Sequence, residues 1–173
     1  MFLSGLKEKS IIRRLKATSS VRQFLSTSGK ITSVALLQND ARPFGVDELR
    51  SLIKMLGIPE AQMTVINYIA TPDKVQLLDE RVVADKHLGW NGVLKPIHLK
   101  NFTEKTFDVL ISYYDEENLP LLTLSAQSAA AFKVGIGRNF FDIQDLSIQV
   151  DLGREATFSK ELEKYLNILK IKK

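Results

Sequence analysis

Residues 107–138, FDVLISYYDEENLPLLTLSAQSAAAFKVGIGR, decide how the rest of the chain is read. Phe107 to Tyr114 is a mostly apolar run that ends in an acidic turn, Asp115-Glu116-Glu117, and it reads as a central strand. Asn118 is a suitable N-cap and Pro120 stands early in the first turn, so a helix starts there and runs to about Ala130. Its Ser125-Ala126 and Ser128-Ala129-Ala130 steps are small, which lets it lie close to a sheet. Phe132 to Ile136 is the next strand, ended by Gly137.

Upstream, Ile31 to Leu37 (ITSVALL) is too uniformly apolar for a half-exposed strand and reads as one covered on both faces, with Gln38-Asn39-Asp40 at its carboxyl end. Val46, Leu49, Leu52, Ile53 and Leu56 recur at helical spacing, and Gly57 and Pro59 close that helix. Met63 to Ile69 is a second strand, so the segment is a strand-helix-strand unit with a right-handed crossover. Residues 71–106 hold only short pieces, VQLL, RVVA and a helical turn at Phe102 to Lys105. An insert that long in a compact domain is either functional or conceals further elements.

Downstream, Leu146 to Val150 alternates apolar and polar residues, as an edge strand does. Residues 138–145 alone join it to the preceding strand. A parallel crossover ordinarily takes a dozen residues or more, so this pair is either antiparallel or unusually tightly linked. Phe158, Leu162, Tyr165, Leu166 and Leu169 form a helical stripe, with Lys170, Lys172 and Lys173 at its carboxyl end. The order of elements predicts a three-layer α/β sandwich of Rossmann-like or flavodoxin-like type, with a mostly parallel sheet of about five strands.

Charge is unevenly spread. The chain carries +4, whereas residues 1–30 alone carry +6, from seven cations and Glu8, so the remainder is slightly acidic. Residues 5–27 read as a helix with Ile11, Leu15, Thr18 and Leu25 near one face and Phe2, Leu3 and Leu6 elsewhere. The expected organisation is a basic helical arm, residues 1–29, and a single α/β domain, residues 30–173. Arg13, Arg14 and Lys16 either form a solvated face of a docked helix or meet RNA, a ribosome or an anionic membrane surface. Charges at Lys7, Lys9, Arg13, Arg14 and Lys16 break up the apolar run a secretory signal needs, and no stretch is long enough to span a membrane. The expected location is the cytoplasm. The absence of cysteine rules out disulfides, thiolate metal sites and cysteine nucleophiles.

Candidate chemistry is sparse. Asp115, Asn39 and Arg138 all fall at strand ends, where open α/β sheets bind ligands. The acidic turn has the oxygen ligands a hard cation prefers, but no second carboxylate pair completes a site; acids there also suit a helix start. Gly135-x-Gly137-Arg138 lacks the third small residue of a dinucleotide fingerprint, since Phe140 stands in its place, and reads as a glycine-permitted strand end. His87 and His98 are eleven residues apart, a spacing that does not support zinc. Ser125 and Ser128 lie within a helix and not on a nucleophile elbow. No catalytic set, metal site or cofactor is expected. Trp90 and Asn91, in the glycine-flanked segment His87-Leu88-Gly89-Trp90-Asn91-Gly92, either fill a hydrophobic gap or face a ligand or protein partner.

The basic start, HLGWNG, FDVLISYYDEENLPL, FKVGIG and the closing FSKELEKYLNILK together resemble a family of uncharacterised small Bacteroidetes proteins, a domain of unknown function. This resemblance implies a bacterial, cytoplasmic protein and adds no activity. Residues 107–138 alone are similar to the amino-terminal Rossmann-like half of heptosyltransferase-type glycosyltransferases. That likeness implies an acceptor-type architecture, without the second domain that would hold a nucleotide-sugar donor. The leading expectation is a non-enzymatic binding or interaction protein. The alternatives are an enzyme of sugar or nucleotide chemistry using Asn39, Asp115 and Arg138, and an accessory protein docking through the basic helix.

Overall fold

The computed structural model describes residues 2–19, 29–169 and 171. Six strands form one all-parallel sheet: β1 (Val34–Asn39), β2 (Met63–Tyr68), β3 (Val82–Val83), β4 (Val109–Tyr113), β5 (Phe132–Ile136) and β6 (Leu146–Ile148). Their spatial order is β3-β2-β1-β4-β5-β6. This is the doubly wound Rossmann order rather than the flavodoxin one, with its switch point between β1 and β4. The helices are α1 (Phe2–Ser19), α2 (Val46–Leu56), α3 (Ile97–Glu104), α4 (Leu119–Gln127) and α5 (Glu155–Ile168).

Strand alternation divides the core. Val34 and Leu36 of β1, Val109 and Ile111 of β4 and Phe132 and Val134 of β5 face α2 and α5, with Leu52, Phe158, Leu162 and Leu166 packed on them. Ala35, Leu37 and Leu110 face the other way, toward Ile11 and Leu15 of α1, Leu99 and Phe102 of α3, and Leu121 and Leu124 of α4. Both faces are therefore covered, as the apolar strands require. The central pair is tied at its amino end by Asp108. Its Oδ2 accepts from Thr32 N and Thr32 Oγ1, each at 2.7 Å, and from Ser33 N at 3.0 Å.

The helix ends follow the sequence. Asn118 Oδ1 accepts from Leu121 N at 3.0 Å and caps α4. Gly57, at φ +69°, closes α2 in the left-handed conformation. In α1, Ile11 and Leu15 are buried and Thr18 is half-buried, while Leu3 and Leu6 are exposed; Leu25 lies outside the described residues, as does the predicted helix beyond Ser19.

The structure adds a strand to the expected sheet, extends one helix and settles the direction of one strand pair. The sheet has six strands rather than five, because the insert contributes β3, a two-residue edge strand too short to carry a period. The helical turn expected at Phe102 to Lys105 is the end of a full helix, α3, which starts at Ile97 behind Pro96. The last strand pair, left open in direction, is parallel despite its short link. Residues Phe141 and Asp142 both take positive φ, 55° and 52°, which folds the link tightly. Asn139 then clamps it, donating from Nδ2 to Gln144 O and accepting from Gln144 N, both at 2.9 Å. Gly135 gives the Gln144 side chain room to cross β5: a Cβ there would stand 2.9 Å from Gln144 Cγ.

The two histidines meet within the insert, rings 6.0 Å apart and nearly perpendicular. His87 is buried, its Nδ1 has no hydrogen-bond partner, and burial together with neighbouring His98 pushes its pKa down.

Two outcomes follow for stability. Asp108→Ala is expected to cost about 2 kcal/mol in urea unfolding with an unchanged m-value, since several hydrogen bonds to one carboxylate are lost. Those bonds outweigh the effect of burial and hold the carboxyl below its ordinary 3.8, so the gap between wild type and variant should close as pH falls below that value. His87 binds its proton more weakly folded than unfolded. Its contribution is complete above the ordinary value of 6.5 and is lost as pH falls below it. Thermal melts from pH 7.5 to 5 should therefore decline, and His87→Phe should flatten that decline.

Candidate functional site

The expected site at the strand ends is present as geometry but occupied by its own side chains. Asn39 ends β1 and Asp115 follows β4, so both stand at the switch point. There Asn39 Nδ2 donates to Glu116 Oε1, and Arg42 forms an ion pair with Asp115. Asn39 Oδ1 accepts from Ala41 N at 3.0 Å, and Gln38 bridges Asn67 and Phe44 N at 2.7 and 2.9 Å. These bonds knit the loop after β1 to the turn after β4. Beside them, Tyr68 donates to Asp85 Oδ2 at 3.2 Å, and burial with the nearby Asp85 carboxylate pushes its phenol up to about 12. Arg138 is exposed after β5 with its guanidinium over the Phe140 ring at 5.0 Å. Among the described residues, no three His, Asp or Glu side chains gather to hold a metal ion.

The other two sets of candidates come together. α1 packs on α4 and on the turn Trp90–Gly92, and Asn91 N donates to Ser10 Oγ at 3.0 Å. Between α1 and α3 this leaves a groove of about 840 Å³. Ser10, Arg13, Arg14 and Thr18 form one wall, Lys100, Thr103 and Glu104 the other, and Gly92, Leu94 and Ala126 are among the residues beneath. Gln127 Nε2 donates to Gly92 O at 2.7 Å, tying the turn to the end of α4.

The electrostatics are one-sided. Arg13, Arg14 and Lys100 are exposed, and among the described residues none of them has an ion-pair partner. Among the described residues that line the groove, Glu104 is the one carboxylate. Lys16 lies on the solvent side of α1, away from the residues that line the groove.

Trp90 is 50% exposed, so it does not plug a core gap. Its turn is rigid. Asn91 and Gly92 both take positive φ, 55° and 71°. Gly89 N donates to Val93 O at 2.7 Å, and Val93 N donates to Trp90 O at 3.2 Å. A Cβ on Gly92 would come within 3.3 Å of Thr123 Cγ2, so the turn lies flat on α4 only because that residue is glycine.

Lys100 and Glu104 were invisible as site residues in the sequence. Their helix is short and its apolar pattern weak, and nothing local signals that α3 will face α1. The basic character of residues 1–30 was the usable signal, and it indicated one wall only.

Among the described residues, no helix is long and apolar enough to cross a membrane. No curated protein and no solved structure matches the chain. Residues 7–169, nearly its whole length, match a family of unknown function (DUF6913), and the chain belongs to that family.

Proposed function

We propose that the protein is a non-enzymatic binding protein and that the cationic groove between α1 and α3 is its binding surface, taking phosphate-bearing polyanions. One observation carries this reading: Arg13, Arg14 and Lys100 surround a single concavity, each without an ion-pair partner among the described residues. Like charges held around a concave surface repel one another and raise the local positive potential, and a polyanion relieves both. The guanidinium fork of arginine matches phosphate oxygens. Lys16, on the solvent side, does not line the groove and is not part of this reading.

The switch point supports catalysis less well. Asn39 and Asp115 are already engaged with Glu116 and Arg42, and Arg138 is stacked on Phe140. A sugar or nucleotide ligand there would first have to break these pairs. On this reading the protein acts in the cytoplasm of a bacterium; the support is the resemblance of its HLGWNG and FDVLISYYDEENLPL segments to small Bacteroidetes proteins.

The test is fluorescence anisotropy with labelled long-chain polyphosphate. Wild type should bind at low salt, with log affinity falling against log salt at a slope of about −2 for three phosphate contacts on a flexible strand. Arg13→Glu with Arg14→Glu should weaken binding at least tenfold, roughly 1.4 kcal/mol, with an unchanged melting temperature because both side chains are exposed. Absence of salt-sensitive binding by wild type would overturn the proposal.

A further inference from the structure

We infer that the polyanion the groove takes is a single-stranded nucleic acid, with phosphates held by Arg13, Arg14 and Lys100 and a base stacked on Trp90. This rests on the groove being the binding surface and goes further, because it names the ligand class and adds a residue that a simple polyanion would not use.

One flank of α1 carries two kinds of surface. Leu3, Leu6, Ser10, Arg13 and Ala17 recur at helical spacing and therefore share one side. Ser10, at the middle, is where the turn at Asn91 is bonded. Toward Thr18 the flank is cationic and lines the groove; toward the amino end it carries exposed Leu3 and Leu6. Trp90 belongs to the turn at this crossing, next in sequence to Asn91, which lines the groove.

An exposed indole on a floppy loop would carry no information. The turn that carries this one is held by two consecutive left-handed residues, by the two hydrogen bonds closing residues 89–93, and by Gln127 and Ser10 from two helices. A turn so fixed holds the backbone of Trp90 in one place and leaves half of the residue's surface in water, so a partner finds the indole with little ordering of the main chain left to do. Beside it are cations within a groove and polar groups on Asn91, Thr103 and Gln127.

A ligand that alternates phosphate with a flat aromatic ring matches both features. Single-stranded nucleic acid does this, and base stacking on aromatic side chains is tolerant of sequence. Polyphosphate matches only the cations. An anionic bilayer would suit the exposed Leu3, Leu6 and Trp90, but a flat layer of headgroups cannot descend to a groove floored by Gly92, Leu94 and Ala126. An extended strand can.

Trp90 is the only tryptophan in the chain, so its emission reports on the inference directly. The full-length protein is titrated with a uridylate dodecamer, with long-chain polyphosphate and with phosphatidylglycerol vesicles. The expected result is salt-reversible quenching by the oligonucleotide and unchanged emission with polyphosphate. By anisotropy with labelled ligands, Trp90→Ala should weaken oligonucleotide binding about tenfold, Trp90→Phe should restore much of it, and neither should alter polyphosphate binding. Glu104→Gln should tighten both. If polyphosphate binds but the oligonucleotide neither quenches Trp90 nor depends on it, the inference fails while the groove stands. Blue-shifted emission with vesicles and none of these effects with the oligonucleotide would replace nucleic acid by a membrane surface. If no polyanion binds, the groove reading fails as well.

Discussion

The double-sided burial of the central strands is the constraint on which the molecule depends. β1 and β4 present apolar side chains to both faces, and parallel strands of this kind persist only under cover from two layers. α2 and α5 cover one face. On the other, α3 and α4 are joined by α1, whose Ile11 and Leu15 enter the same core as Leu37 and Leu110. Burial of each such side chain is worth about 1.5–3 kcal/mol. The basic helix is therefore fixed by core packing, whatever its charges do.

That docking produces the groove. Once Ile11 and Leu15 point inward, helical geometry turns Ser10 and Arg14 toward the turn at Asn91 and the flank of α3. Arg14 and Lys100, 86 positions apart in sequence, become opposite walls. The same Rossmann order that ordinarily opens a crevice between β1 and β4 has that crevice bridged by Arg42–Asp115 and Asn39–Glu116. Arg13, Arg14 and Lys100, without ion-pair partners among the described residues, lie instead on the helical layer.

Much of the architecture was legible in the sequence. The apolar runs at 31–37 and 107–114 contain β1 and β4 within a few residues, the Asn118 cap forms, and of the stripe Phe158, Leu162, Tyr165, Leu166 and Leu169 all but the exposed Leu169 pack on the sheet. What escaped depends on contacts distant in sequence. β3 is two residues long and exists because β2 offers it an edge. The parallel direction of β6 depends on Asn139 and two left-handed residues, neither of them a recognised turn signature. For the candidate site, the cations of α1 were visible as composition, and Trp90 as an unusual residue between glycines. Their meeting was not, because it is set by where α1 lands on the sheet. Trp90 also defied the general tendency of tryptophan to be largely buried, since its turn is anchored by backbone and by Ser10 rather than by the ring.

α1 is part of the packed body, and that is what builds the groove. Amide hydrogen exchange on the intact protein tests it most directly. A helix without tertiary packing draws little stability from propensity alone, and its amides exchange quickly. Docked as described, the amides from Ile11 to Leu15 should be protected well beyond that, approaching those of α4, which α1 packs against. Exchange there at the rate of a free helix, with α4 and the sheet still protected, would mean that α1 is not docked in solution.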